Sequence, residues 1–231
     1  MAAMTTVRRG GPKPFTWSYS KLKNFESCPK RHWHVDIAKD VKEDDSEALV
    51  WGNLVHDAAA KRLGPKKIAL PDTMTKLIEP WCVRIEAGPG VIHVEQKLAI
   101  TNEFGTTGFF DKNVWFRSIG DVIKIDGPVA LLADWKTGKI VEDSQQLALG
   151  AACVFAAYPD VQVVRAEFIW LKEDAQSSAT FRRSEMAAMW AHIWPRISSL
   201  EQAYNLTSYP AKPGYLCRRY CPVFSCPHHG E

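Results

Sequence analysis

The chain has 231 residues, with a hydrophobic fraction of 46% and a charged fraction of 24%, the balance of an ordinary globular domain. The formal net charge of +3 permits nucleic acid as a partner without demanding it. No apolar run approaches the ~20 residues of a membrane span, and Arg8 and Arg9 have no apolar segment behind them, which excludes a signal peptide. Residues 1–17 are expected to be a flexible arm and residues 18–231 a single domain. A cytoplasmic location follows, and it favours metal ligation or buried thiols over disulfides for the six cysteines.

In chain order, TWSYSKLKNFESCPKRHWHV starts a helix that Ser18 or Ser20 can cap and Pro29 interrupts. Residues 39–47 are a charged loop. ALVWGNLVHDAAAKRL (48–63) forms a second helix, ended by Gly64-Pro65. A third helical stretch follows, broken near Pro80 and stopped by Gly88-Pro89-Gly90. The period then changes from helical to alternating. Strands are expected at 91–100, at 108–118, and from Asp121 to Lys136 with a break at Gly127-Pro128. Residues 144–158 are an apolar helix, 161–171 and 179–184 paired strands, and a long helix containing Pro195 precedes a tail dense in Cys, Pro and His. The fold class is α/β: a mixed central sheet flanked by helices, with residues 209–231 as a small stapled module.

One segment poses a chemical problem. VALLADWK (129–136) is a core strand that finishes with Asp134 and Lys136 on the same face. Desolvating two charges is costly unless they pair or meet a ligand. Either they are a simple ion pair, or something charged binds there. Asp111, at the start of the preceding expected strand, would approach Asp134 across an antiparallel pair. Two close carboxylates repel unless a cation lies between them. Mg²⁺ or Mn²⁺ takes oxygen ligands and can activate water toward a phosphodiester. His56, on the second helix, offers an imidazole, which favours Mn²⁺. Gln146 opens the apolar helix on the face of Leu149, Gly150 and Cys153, where a buried amide needs a partner such as Lys136 or a phosphate. Each residue alone has a plainer reading as surface or packing.

Together, SYSKLKNFESCPKR, GNLVH, E-x-K before GFFD, ADWKTG and QQLALG resemble, in that order, the RecB-like branch of the PD-(D/E)XK nucleases, most of all the CRISPR-associated RecB-type exonucleases and their phage relatives. The resemblance runs from about Ser18 to the C-terminus and implies a restriction-endonuclease-like core. It implies His56, Asp111, Asp134 and the Trp135 carbonyl as metal ligands, Lys136 as the catalytic lysine, and Gln146 as the glutamine of a glutamine–tyrosine motif. The tyrosine of that motif is Gly150 here. Glu95 stands where relatives carry an acid and is a supporting residue.

Cys217, Cys221 and Cys226 are separated by three and then four residues. Three cysteines so close in a cytosolic protein indicate a metal. The resemblance implies a 4Fe–4S cluster closed by Cys28, although the middle cysteine is displaced by one position from the family spacing. A structural Zn²⁺ completed by His228 is the alternative. Cys82 and Cys153 are core residues. Phosphates could be met by Lys21, Lys23, Lys30 and Arg31, or by Lys212, Arg218 and Arg219 with Tyr220 beside them, and bases could stack on Trp17, Tyr19 or Phe25. The expected activity is a metal-dependent DNA exonuclease acting on single strands or duplex ends inside a phage-infected, bacterial or archaeal cell. Protein partners in recombination, repair or spacer acquisition are compatible with it. An endonuclease of the same fold, or an inactive DNA-binding accessory protein, are the alternatives.

Overall fold

The computed structural model describes residues 14–43, 46–141 and 143–231. Arg8, Arg9 and most of the expected arm lie outside the described residues, as do Asp44 and Asp45 of the charged loop. Trp17, assigned to the arm, is instead core: it is 1% exposed, and its backbone bonds to Trp115 and Arg117.

Helix α1 (Tyr19–Ser27) is capped by Ser18, whose hydroxyl accepts from the Lys21 amide. Cys28 leaves the helix in an extended conformation, and Pro29 starts α2 (Pro29–His32), which runs on as a π-helical turn, Trp33–Ala38. Ser46 caps α3 (Glu47–Leu63), and α4 (Asp72–Glu86) follows. Then come β1 (Val91–Ile100), β2 (Phe116–Asp126), β3 (Val129–Lys136), α5 (Ser144–Ala157), β4 (Val163–Trp170), β5 (Ala175–Arg182), α6 (Met186–Leu206) and α7 (Leu216–Arg219). Pro80 was expected to break its helix, and Pro195 to lie inside a long one. Both helices pass through them unbroken. Each proline lies on an exposed face, where water satisfies the carbonyl that loses its donor.

The sheet has the order β1-β2-β3-β4-β5, antiparallel except for the β3–β4 pair. That parallel pair needs a crossover, which α5 supplies. One face packs against α1, α5 and α6 through Trp17, Leu132, Leu149 and Trp190. The other packs against α3 and α4 through Val55, Ile78, Ala133 and Trp135. Lys124, almost fully buried, spends its ammonium on the carbonyls of Ile85, Ala87 and Gly88, fixing the end of α4 over the sheet.

The β1–β2 pair is irregular at one place. Ile92 and Val94 face α3 and α4, yet Leu98 and Ile100, of the same parity, face the opposite layer. In β2, Val122 and Phe116 show the same reversal. The flip falls at Glu95 and Asp121, which are opposite one another but unpaired, and Glu95 has a left-handed backbone with φ 49°. Such strain is stored where geometry matters more than regularity.

Candidate metal centre

The two-residue turn at Gly127-Pro128 aligns β2 with β3 so that Val122 faces Ala133 and Asp126 faces Val129. Asp121 therefore lies level with Asp134. Its Oδ2 accepts from the Trp135 amide at 2.9 Å and sits 3.3 Å from His56 Nδ1. The ligand atoms of His56, Glu95 and Asp121 all lie within 4.8 Å of one another. The strand flip is what turns Glu95 and Asp121 toward α3 and its histidine.

Asp134 borders this group from the α5 side. Its Oδ2 is 2.7 Å from Lys136 Nζ, so the two charges at the end of VALLADWK do form an ion pair in the metal-free protein. Gln146 joins both: its Nε2 donates to Asp134 Oδ1 at 3.0 Å, and its Oε1 accepts from Lys136 Nζ at 3.3 Å. Lys136 also lies 4.8 Å over the Phe168 ring. The buried amide expected to need a partner thus has two.

Electrostatics mark the cluster as short of positive charge. Burial, then the Asp121 carboxylate, push the Asp134 carboxyl up, against the pull of Lys136. Burial and Asp121 also raise Glu95. Burial opposes protonation of His56, but Asp121, with Asp134 and Glu95 behind it, holds the imidazole above its ordinary value. Asp134 Oδ2 is buried, with the Lys136 ammonium 2.7 Å away as its partner. Three carboxylates and an imidazole fit a divalent cation of the Mg²⁺ or Mn²⁺ kind.

Asp111 does not belong here. It is not on a strand: residues 101–115 form the β1–β2 connection, and β2 begins only at Phe116. Its carboxylate accepts from the Gly108 amide at 2.9 Å and from the Thr107 hydroxyl at 3.1 Å, closing a turn. Asp121 holds the position assigned to it. The signal was present in the sequence: about a Gly127-Pro128 turn, residue 134 is the mirror of 121, not of 111.

The profile of the PD-(D/E)XK nuclease superfamily matches residues 16–226. The chain belongs to that superfamily. As a PD-(D/E)XK nuclease it is a hydrolase acting on nucleic acid. No curated protein matches it. Among solved structures, an exonuclease of Eubacterium rectale, so designated provisionally, superposes with a TM-score of 0.53 at 13% identity, over 94% of this chain and 93% of that one. SSO0001 aligns with a TM-score of 0.45 at 12% identity, over 96% of this chain and 90% of that one. No described helix is long and apolar enough to cross a membrane.

Two further features of this nuclease bear on the expectations. A Cβ at Gly150 would lie 2.7 Å from Leu132 Cδ2, so a tyrosine there, as the glutamine–tyrosine motif calls for, would require the Leu132 side chain to move. In the tail, Cys28, Cys217, Cys221, Cys226 and His228 line one cavity of about 270 Å³, and the Lys212 amide points at Cys28 Sγ from 3.4 Å. Lys30, Arg31 and Lys212 line that cavity, whereas Lys21, Lys23 and Tyr19 line a groove beside Lys136 and Gln146. Arg218, Arg219 and Tyr220 are exposed on the tail, and Phe25 packs on the core.

Proposed function

We propose that this nuclease is a Mn²⁺- or Mg²⁺-dependent DNA exonuclease that acts on single strands or duplex ends. The observation that carries the reading is the convergence of Glu95, Asp121, Asp134 and His56 beside an Asp134–Lys136–Gln146 network. Those four side chains, with the Trp135 carbonyl, would hold the cation. The cation would supply charge neutralisation and a lowered pKa for attacking water. Lys136 orients that water and steadies charge developing on the phosphate, and Gln146 keeps the ammonium aimed while the aspartate is engaged elsewhere. The order of motifs favours the RecB-like branch. The E. rectale protein's designation agrees with an exonuclease.

Four thiols around one cavity support a metal group there, with the 4Fe–4S cluster preferred to Zn²⁺. Broad visible absorption with iron and sulfide in anaerobically purified protein would support the cluster; colourless protein containing zinc would overturn it.

End-labelled DNA tests the main reading. Wild-type protein should degrade linear strands with Mn²⁺ or Mg²⁺ and spare a covalently closed circle, and Asp134→Ala or Lys136→Ala should not degrade either. Folded variants that cut as fast as wild type would sink the proposal. Cutting of the circle would make the enzyme an endonuclease, and binding without cleavage an accessory protein.

A further inference from the structure

The Asp111 turn has a purpose that the metal centre does not use. Between β1 and β2 the chain is anchored at both sides. Phe104 stacks on Trp190 of α6 with centroids 4.7 Å apart, and the Trp115 amide returns to Ile100 O at 2.9 Å. At the tip, the Asp111 carboxylate fills the space where a Cβ on Gly108 would stand, 2.7 Å away, so only glycine admits the clamp. What this braced turn presents is Phe109 and Phe110. Their rings meet edge-on at 5.1 Å, and Phe110 is 77% exposed. A rigid, preorganised turn holding a phenyl ring in water is costly unless the ring meets something.

The surroundings say what. Phe109 lines a groove of about 690 Å³ that also contains Lys21, Lys23, Arg117, Lys136 and Gln146. Thr16, Lys21 and Arg117 also line a second hollow, which continues to Lys39 and Lys112. Lys21, Lys23, Lys39, Lys112 and Arg117 outnumber Asp36, Asp111 and Asp143 along the two hollows, so the path outward from Lys136 and Gln146 is net cationic. Burial, then Lys39 and Arg117, disfavour the charge on Lys21 against the pull of Asp36, and Arg117 Nε is buried with no hydrogen-bond partner. Arg117 also lies 5.4 Å over the Phe109 ring, and Lys97 lies 5.5 Å over that of Phe110. Positive charge lining a path with aromatic faces at its edge is the chemistry of a polyanion with exposed π-faces. Bases in a duplex are already stacked and cannot offer theirs.

We propose that Phe109 and Phe110 are a stacking platform for the bases of an unpaired DNA strand whose phosphates run along Lys21 and Arg117. The inference rests on the nuclease reading and specifies its substrate: single strands are taken directly, and a duplex end only after its terminal pair has frayed. Asp111 and Gly108 act as positioning residues for the platform.

The test uses the full chain in EDTA, so that no strand is cut, with a thymidine oligonucleotide carrying one 2-aminopurine and with the same sequence as a blunt duplex. Wild-type protein should quench the 2-aminopurine in the single strand. Phe110→Ala, which removes an exposed ring and should melt as wild type does, should lose the quench and weaken single-strand binding about 5-fold or more. Its duplex binding should change by less than about twofold, the scale of an ordinary surface substitution. Phe110→Trp should restore both readouts. Unchanged affinity and quench in Phe110→Ala, or an equal loss on duplex, would overturn the platform. Parallel cleavage assays with Mn²⁺ keep the two readings apart. A wild type that quenches but never cuts refutes catalysis alone, and one that cuts while Phe110→Ala binds normally refutes the platform alone.

Discussion

Replacing Asp121 and Asp111 separately by asparagine discriminates between the two acids. Asparagine keeps the shape of Asp121 and an oxygen for the Trp135 amide, so the change removes charge and little else. Changes outside a metal's own ligand shell already cost ~10–100-fold in affinity; loss of a ligand should cost more than about 100-fold in Mn²⁺ affinity and in cleavage. Stability should move the other way. Two full charges 4.8 Å apart repel by about 3.5 kcal/mol at an effective dielectric near 20. Glu95 is exposed, so solvent screens that to about 1 kcal/mol. At pH 8 in EDTA, Asp121→Asn should therefore raise Tm by ~2–4 °C. Asp111→Asn weakens only the Gly108 turn, lowering Tm slightly and leaving Mn²⁺ affinity at the wild-type level. Calorimetric titration with Mn²⁺, melting in EDTA and cleavage of a labelled strand measure all three. The assignment is refuted if Asp111→Asn abolishes Mn²⁺ binding or if Asp121→Asn retains it.

Asp134 gives a pH signature. Its carboxyl is raised from 3.8 to about 6 in the folded protein, so ionising it costs stability. That increment is fully present below pH 4 and lost as pH rises through about 6 in the metal-free protein. Asp134→Asn should flatten that part of a Tm-against-pH profile; a profile identical to wild type would contradict it. Gly150→Tyr should destabilise by about 1–3 kcal/mol through overpacking against Leu132, without raising cleavage; a variant that melts normally and cuts faster would show that the helix has room after all. Cys28→Ser should release bound iron and speed tryptic cleavage at Arg218 and Arg219. Unchanged metal content would exclude Cys28 from the tail site.

The residues legible in sequence were those whose surroundings are local. Asp134 and Lys136 stood out because an apolar strand led into them, and Gln146 because it was polar on a packed helix face. The residues missed depend on register. Asp121 becomes a neighbour of Asp134 only when Gly127-Pro128 is taken as a two-residue hairpin turn, not as an interruption within one strand. Phe109 and Phe110 looked like strand residues because they stand just before the apolar run Val114-Trp115-Phe116 that opens β2. Glu95 could be given only a supporting role, because nothing local reveals a left-handed residue inside an alternating pattern. The helix through Pro80 was misjudged for a simpler reason: a proline on a wet face withdraws a hydrogen bond that water replaces.

The paired flip at Glu95 and Asp121 makes the hairpin intolerant of changes in length. Deleting Glu95 alone would restore plain alternation to β1, yet β2 would keep its own reversal. Leu98 and Ile100 would then be out of step with Phe116, and half of the pair would present its apolar side to the wrong layer. Only a matched deletion in both strands would return a regular ribbon, and that ribbon would no longer carry the two acids to His56. Related chains should therefore differ freely in the length of the connection between these strands but hardly at all in the number of residues on either side of the flip.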